Sequence, residues 1–345
     1  MFSLIAFLLA HVLVTNAYAA EPDGVAPYPS GANIAWSHAP YEAGSCEVCH
    51  EHADPKKPGK LISKNVNELC ATCHVDMQEA MQQPVVHFAA EDNCTNCHNP
   101  HNAKYKKLLR APMPQLCNQC HDQGTAKMRV EHGALTSGSS CAGCHTPHAG
   151  QVEHLLLQAP YDLCLSCHGR DDVVADNGQK LTNIKALLDT NPVHHGPVGA
   201  KDCSACHQPH GSDNMRLLVL EYPQKFYSPY AAENYALCFR CHNSKLATDA
   251  KTTTATGFRD GDVNLHYKHV NKAPFGRTCR ACHEVHASKK PHQIRDSVPF
   301  GTSGWMLPVV YTPNKTGGTC EKTCHAAKTY DNGGVRPSGG KTPVR

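Results

Sequence analysis

The sequence predicts a chain that is mainly coil with short α-helices, has little or no β-structure, and is organised as five similar repeats. Proline and glycine contribute 24 and 25 of the 345 residues and interrupt the segments between the recurring cysteine motifs. Aromatic residues make up only 6% of the chain, so an apolar core must be scarce or supplied by a bound group. Twenty cysteines recur in pairs along the sequence, which indicates a repeated unit.

The first twenty residues, MFSLIAFLLAHVLVTNAYAA, indicate export. An apolar run is followed by small residues at A-Y-A, which is typical of a secretory signal peptide spanning residues 1–20. The first cysteine, Cys46, lies far from this cleavage region, so a lipid anchor is not expected. No later segment approaches the roughly 18–20 apolar residues of a spanning helix, so we expect no transmembrane helix.

Every cysteine belongs to a pair, and a histidine directly follows each pair. The cysteines are Cys46, Cys49, Cys70, Cys73, Cys94, Cys97, Cys117, Cys120, Cys141, Cys144, Cys164, Cys167, Cys203, Cys206, Cys238, Cys241, Cys279, Cys282, Cys320 and Cys324. The histidines, which define sites 1 to 10 in chain order, are His50, His74, His98, His121, His145, His168, His207, His242, His283 and His325. Nine pairs are C-x-x-C-H, the attachment signature of c-type haem, with two thioether cysteines and a proximal iron ligand.

Zinc and disulfides are the rival explanations for paired cysteines in an exported chain. Neither requires a histidine after each pair, and the ten pairs leave no cysteine over, so we expect covalent haem. The tenth motif, CEKTCH at residues 320–325, has three residues between its cysteines. On a helix Cys320 and Cys324 would share a face, so a tenth haem is expected there. A haem-free site with a Cys320–Cys324 disulfide remains the alternative.

The repeats each contain two motifs and two further histidines. Their predicted bounds are 38–74, 87–121, 132–168, 195–242 and 269–325, followed by a C-terminal tail at 326–345. The two motifs of a repeat lie 23 or 24 residues apart in repeats one to three, but 35 and 41 apart in repeats four and five. The two inserts, 217–236 and 289–318, could be docking surfaces or could cover haem edges.

The extra histidines are candidates for the distal iron ligands. His101 lies three residues after His98, and three extended residues reach only about 10 Å. The chain cannot pass around a porphyrin to which it is already bonded, so we expect His101 to bind the iron of a neighbouring haem. The downstream candidates in this register are His52, His101, His148, His210 and His286, and the upstream candidates are His38, His87, His132, His195 and His269.

These candidates supply one distal ligand for each of ten irons. His52 departs from the register because it lies only two residues after His50. The surplus histidines are His154, His194, His266 and His292, of which His194 and His266 are possible substitutes for His195 and His269. Methionine shows no register, so bis-histidine haems of low potential are expected. Irons with two protein ligands have no open position for substrate, which favours electron transfer over catalysis.

The charge gives no support for a nucleic-acid partner. The formal net charge is +3 without cofactors, and ten ferric haems with their propionates would bring it to about −7. The cluster Lys104, Lys106 and Lys107 is expected to be solvated or to pair with propionates rather than to mark a partner site.

Two stretches carry a family resemblance: CHNPH…LLRAPMPQLCNQCH within residues 97–121, and CHQPHGS at 206–212. They resemble the doubled C-x-x-C-H decahaem cytochromes of the MtrA/DmsE type, the periplasmic subunits of outer-membrane electron conduits. The resemblance covers nearly the whole mature chain but is weaker in repeat five, where CHEVH lacks proline and the last motif is C-x-x-x-C-H.

The resemblance implies a multihaem cytochrome whose five two-haem repeats form a haem wire. It implies a periplasmic, possibly outer-membrane-associated protein that works in anaerobic or extracellular respiration. The implied partners are an outer-membrane β-barrel protein, other multihaem cytochromes and quinol-linked electron donors. Two alternatives remain open: a free shuttle or polymerising extracellular cytochrome, and a multihaem reductase with one iron lacking a distal ligand in repeat five.

Overall fold

A computed structural model describes residues 34–124, 127–175, 178–321 and 323–334. The predicted signal peptide, residues 1–20, and the tail beyond residue 334 lie outside the described residues. The chain divides into two units. The first comprises Met1–Leu69 with Thr95–Pro112, and the second comprises Cys70–Cys94 with Met113–Arg345. No helix within the described ranges has the length and apolar character needed to cross a membrane.

The α-helices are short, and the longest in the described residues has nine residues. They are α1 (Ala39–Glu42), α2 (Val66–Ala71), α3 (Val75–Ala80), α4 (Phe88–Asp92), α5 (Pro160–His168), α6 (Ile184–Thr190), α7 (Gly196–Gly199), α8 (Ala236–Phe239), α9 (Lys245–Thr248) and α10 (Leu265–Val270). The C-x-x-C-H motifs form helical turns. In site 1, for example, the backbone N–H of His50 donates to the carbonyl of Cys46 at 2.8 Å. Such a turn brings the first cysteine close to the histidine that follows the pair.

The β-strands of the described residues are shorter still. They are β1 (Trp36–Ser37), β2 (Val85–Val86), β3 (Asn102–Ala103), β4 (Val130–Glu131), β5 (Ala149–Gly150), β6 (Val193–His194), β7 (Gly211–Ser212), β8 (Arg259–Asp260), β9 (Val263–Asn264), β10 (Ala287–Ser288), β11 (Ser297–Pro299), β12 (Met306–Pro308), β13 (Tyr311–Asn314), β14 (Gly317–Cys320) and β15 (Lys328–Asp331).

Four two-residue antiparallel ladders connect successive repeats. In the first unit β1 pairs with β3. In the second unit β2 pairs with β5, β4 with β7, and β6 with β10. In each case the strand just before the upstream histidine of one repeat pairs with the strand just after the downstream histidine of the next repeat. These ladders therefore place histidines of neighbouring repeats side by side.

The C-terminal residues form more β-structure than the sequence predicted. Strands β13, β14 and β15 make a three-stranded antiparallel sheet, and β11 pairs with β12. Cys320 ends β14 and is paired with Tyr311 on one side and Lys328 on the other. The helical arrangement predicted for Cys320 and Cys324 is therefore wrong, because Cys320 lies in a sheet. A β-carbon on Gly317 would lie 2.1 Å from the Tyr330 carbonyl oxygen, so glycine permits this close pairing.

The polypeptide core is small. Its main cluster, in the second unit, contains Tyr222, Tyr235, Ala247 and Val270. Several large apolar side chains are instead exposed, and Phe88 is 77% exposed although it follows the candidate ligand His87 directly. Apolar surface near the motifs is thus available to a bound apolar group.

Candidate haem sites

The five odd-numbered sites share a backbone arrangement, which we call the clamp. In each, Nδ1 of the proximal histidine is hydrogen-bonded to the carbonyl oxygen of the ninth residue after it. The pairs are His50–Gly59 at 3.2 Å, His98–Lys107 at 2.8 Å, His145–His154 at 2.8 Å, His207–Arg216 at 2.9 Å and His283–His292 at 2.8 Å. The clamp occurs in all five repeats, including the fifth.

The clamp selects the form of the histidine that can bind iron. A carbonyl oxygen only accepts hydrogen bonds, so Nδ1 must carry the proton and donate it. In the neutral ring the lone pair then lies on Nε2, the atom that binds a metal in this tautomer. The carbonyl also fixes the orientation of the ring and makes it a stronger donor to the metal.

Four clamps hold non-glycine residues in the left-handed backbone conformation. The ninth residues Lys107, His154, Arg216 and His292 have φ between 58° and 60°, and in repeat one the position is Gly59, with φ 77°. A non-glycine residue in this conformation costs roughly 1–2 kcal/mol. Such strain is commonly found where a functional geometry requires it.

We expect Gly59→Ala to destabilise the first unit more than Gly44→Ala does. Both glycines have positive φ, but a β-carbon on Gly59 would lie 2.9 Å from Oε2 of Glu51, whereas one on Gly44 meets nothing within 4 Å. Both variants should lose about 1–2 kcal/mol of unfolding free energy from the backbone alone. Denaturant unfolding followed by circular dichroism measures the difference, and equal losses would show that the Gly59 contact is unimportant.

The structure shows a facing second histidine for eight proximal histidines in the described part of the chain. The ring centroids are 6.0 Å apart for His50–His101, 5.8 Å for His87–His121, 6.1 Å for His132–His168, 6.1 Å for His145–His210, 6.0 Å for His195–His242, 6.3 Å for His207–His286, 6.2 Å for His266–His283 and 6.4 Å for His269–His325. The candidates His38 and His148 occupy the equivalent positions of the sequence register.

These distances fit an iron held between two imidazoles. Two metal–nitrogen bonds of about 2 Å, with about 1 Å from each nitrogen to its ring centre, place the centroids about 6 Å apart. By contrast, the described part of the chain contains no group of three or more Cys, His, Asp or Glu side chains arranged to hold a metal ion by themselves. The donor set fits haem, in which the porphyrin supplies the other four ligands.

Sites 1, 5 and 7 take their second histidine from the next repeat. The ring of His101, in repeat two, lies opposite His50, the proximal histidine of repeat one. The same relation joins His145 to His210 and His207 to His286. Sites 4, 6, 8 and 10 differ, because their second histidine is the upstream histidine of the same repeat, as in His132–His168. At these sites the downstream histidines thus serve odd-numbered positions, and the upstream histidines serve even-numbered ones.

Repeats five and one depart from this rule. At site 9, in repeat five, the ring opposite His283 is His266, a surplus histidine of the sequence. In repeat one, the downstream histidine is His52. Its side chain is exposed, and it has no ring contact with another histidine within the described residues. The structure thus brings His266, and not His52, to a proximal histidine.

Helix α10 holds the second histidines of sites 9 and 10. His266 and His269 lie three residues apart on this helix, a spacing that places side chains on one face. The helix N-cap is Asn264, whose side chain accepts from the Tyr267 N–H at 3.2 Å and donates to the Asp249 carbonyl at 2.8 Å. Because Asn264 is fully buried, this cap fixes the helix firmly.

The other surplus histidines have different positions. His154 and His292 supply clamp carbonyls. His194 is hydrogen-bonded through Nε2 to the Leu188 carbonyl at 3.1 Å, while His195 lies opposite His242. The sequence alone could not rank these residues, although the count of surplus histidines showed that substitutes were available.

Burial disfavours the protonated form of several of the facing histidines. It lowers the pKa of His266 to about 3 and that of His286 to about 4. Burial is also the main cause of the lowered pKa of His101, His168, His195, His210, His269 and His283. A proton and a metal compete for the same nitrogen, so a low pKa leaves the imidazole available to iron at neutral pH.

Sites 5 to 10, all in the second unit, form a continuous series. Within each odd–even couple the second histidines adjoin: the His132 N–H donates to the His210 carbonyl, the His195 N–H donates to the His286 carbonyl, and His266 and His269 share α10. Between couples the first cysteines meet. Cys164 lies beside Cys203, and Cys238 lies beside Cys279.

Site 10 keeps the ligands of a haem site despite its longer motif. Cys320 and Cys324 are not joined by a disulfide. Both lie close enough to Cys282 of site 9 to contribute to raising its thiol pKa, which burial raises to about 11. His325 faces His269, and its Nδ1 donates to the Ala326 carbonyl at 2.7 Å.

Comparison with known families identifies the repeat. The model of the doubled CXXCH motif matches residues 38–79, 87–126, 132–173 and 195–247, which together are more than half of the chain. No curated protein matches the sequence closely enough to be counted as a relative. The matched segments contain sites 1 to 8, and the C-x-x-C-H motifs in them bind haem c covalently. The chain therefore belongs to the doubled CXXCH motif family, whose members are multihaem c-type cytochromes.

Proposed function

We propose that this chain is a decahaem c-type cytochrome that conducts electrons through closely packed bis-histidine haems, from the periplasm to or across the outer membrane. The observation that carries this proposal is the continuous series of sites 5 to 10. Haem supplies the redox chemistry through its iron, and the chain fixes spacing, shielding and potential. Tunnelling rates fall exponentially with the distance between cofactor edges, so adjoining attachment sites favour rapid transfer.

The contacts between the first cysteines of neighbouring sites are the main support for a short distance between porphyrins. A thioether sulfur lies one carbon from the porphyrin ring, so the adjacent Cys164 and Cys203 would bring the edges of two porphyrins together. The contact between Cys238 and Cys279 does the same for the next couple. Adjoining axial histidines link the remaining neighbours. Electrons can thus pass along the series without a gap in the second unit.

A count of ten haems is supported by repeat five. The clamp of site 9 has the same His–carbonyl spacing as the matched repeats. Both proximal histidines of this repeat, His283 and His325, have facing histidines at 6.2 Å and 6.4 Å. A reductase would need an iron with an open position, and repeat five, with its variant motif, is the candidate for that iron. The two facing histidines there favour electron transfer.

The proposed partners and location rest on the sequence. The signal peptide pattern and the family resemblance favour a periplasmic protein that associates with the outer membrane and works in anaerobic or extracellular respiration. Its partners would be an outer-membrane β-barrel protein, which shields the polar backbone of a conduit inside a bilayer, other multihaem cytochromes and quinol-linked donors. A free shuttle or polymerising cytochrome is the alternative. Capture of the native protein from membranes should recover a barrel protein, and its absence would favour the alternative.

Intact mass and electron paramagnetic resonance test the haem assignment together. We expect a mass corresponding to the mature chain with ten haems, and ferric signals that are entirely low-spin because every iron has two imidazoles. A mass with nine haems would contradict the count of ten and would point to site 10, which has the variant motif, as the site without haem. A high-spin signal in the untreated protein would reveal an iron with an open position and would contradict the electron-transfer proposal.

A further inference from the structure

Four clamps carry a basic residue in the left-handed position. These are Lys107, His154, Arg216 and His292, and the equivalent residue in repeat one is Gly59. The clamp uses only the backbone carbonyl of this residue. Glycine would supply the same carbonyl without strain, as it does in repeat one. The strained basic side chain is therefore retained for something other than the hydrogen bond.

None of the four side chains has a carboxylate partner in the described part of the chain. All four are exposed, and none takes part in a salt bridge among the described residues. Each nevertheless lies beside a proximal histidine, because its own carbonyl is 2.8–2.9 Å from Nδ1 of that ring.

Haem supplies anions at this place. A haem bound by the proximal histidine carries two propionates on its edge, and carboxylates close to a packed surface need a cationic or hydrogen-bonding partner. Lysine and arginine form charge-assisted hydrogen bonds with carboxylates, and their side chains are long enough to extend from the clamp toward the porphyrin edge.

We propose that the Lys107 and Arg216 side chains are each the counter-charge for the propionates of the haem held by the same clamp. This rests on the proposed function, which places haem at sites 3 and 7. It assigns the side chains a second effect, because a cation near the iron stabilises the reduced form, which has one positive charge less. Site 1, with Gly59, lacks this counter-charge.

Lys107 offers the sharpest test, with Lys106 as the neighbouring control. In the full-length holoprotein, Lys107→Gln should lower the reduction potential of one haem out of ten in a potentiometric titration followed by absorbance. Lys107→Gly should lower it equally, although the backbone is relaxed, and Lys107→Arg should restore it. Lys106→Gln should leave all ten potentials unchanged. The shift should diminish at high ionic strength, because salt screens exposed charges.

The outcomes separate this inference from the proposed function. Unchanged potentials in Lys107→Gln, with ten haems still present by mass, would overturn the counter-charge and leave the electron-transfer proposal standing. An equal shift in Lys106→Gln would also overturn it, since any nearby charge would then have the same effect. A native chain without haem at Cys94 and Cys97 would instead contradict the proposed function itself.

Discussion

Replacing His101 by alanine is expected to convert one iron of the array, the one held by His50, from low-spin to high-spin. The ring of His101 lies 6.0 Å from that of His50, the distance of two imidazoles on one iron. Its own neighbour in sequence, His98, cannot be its partner on the same iron, because the three-residue connection is too short to round the porphyrin. Electron paramagnetic resonance of the oxidised holoprotein measures the change.

The iron affected can be identified by removing site 1. In a variant carrying Cys46→Ala, Cys49→Ala and His50→Ala, no haem is held at that site. Adding His101→Ala to this variant should then produce no further high-spin signal. An additional high-spin signal would show that His101 serves another iron. His154→Ala is the matched control, since this histidine contributes only its carbonyl to a clamp and should leave every iron low-spin.

Loss of that ligand should also slow electron transfer through site 1. A six-coordinate iron with two fixed imidazoles changes little when it gains an electron, whereas an open position admits water and adds rearrangement to each transfer. We expect the potential of this one haem to rise as well, because the basic imidazole that stabilised the oxidised iron is missing. His101→Met would raise the potential while keeping six ligands, which separates the two effects.

The sequence predicted the attachment sites and the register because both are local. A C-x-x-C-H motif needs only one helical turn, and the fivefold recurrence of histidines is visible as spacing alone. The reach argument for His101 excluded its own haem but could not say which neighbour it serves. That answer depends on β1 and β3 pairing between repeats, and two-residue strands leave no alternation in a sequence.

The clamp and the C-terminal sheet could not be predicted from the sequence either. The clamp depends on a carbonyl nine residues away and on left-handed φ values at Lys107 and its equivalents, residues for which that conformation is unfavourable. The sheet depends on strand pairing across the long insert of repeat five. A motif with three residues between its cysteines suggested a helix, yet Cys320 pairs in β14 because Gly317 and Gly318 admit close neighbours.

The second large effect is expected in repeats five and one. His266→Ala should produce one high-spin iron, whereas His52→Ala should produce none. Sites 1, 5 and 7 each receive a histidine from the following repeat, whereas the histidine that faces site 9 comes from helix α10. His266 faces His283 at 6.2 Å on a helix capped by the buried Asn264. His52 is exposed.

Electron paramagnetic resonance spectra of the His266→Ala and His52→Ala variants test this difference directly. Helix α10 could be disturbed by the loss of His266, so His266→Met provides a second measurement. The iron of site 9 should stay six-coordinate in this variant, and the reduction potential of its haem should rise. If His52→Ala produced the high-spin iron and His266→Ala did not, the donation of ligands from each repeat to the one before it would be refuted. A high-spin iron in His266→Ala alone would show that the iron of site 9 takes its second ligand from helix α10.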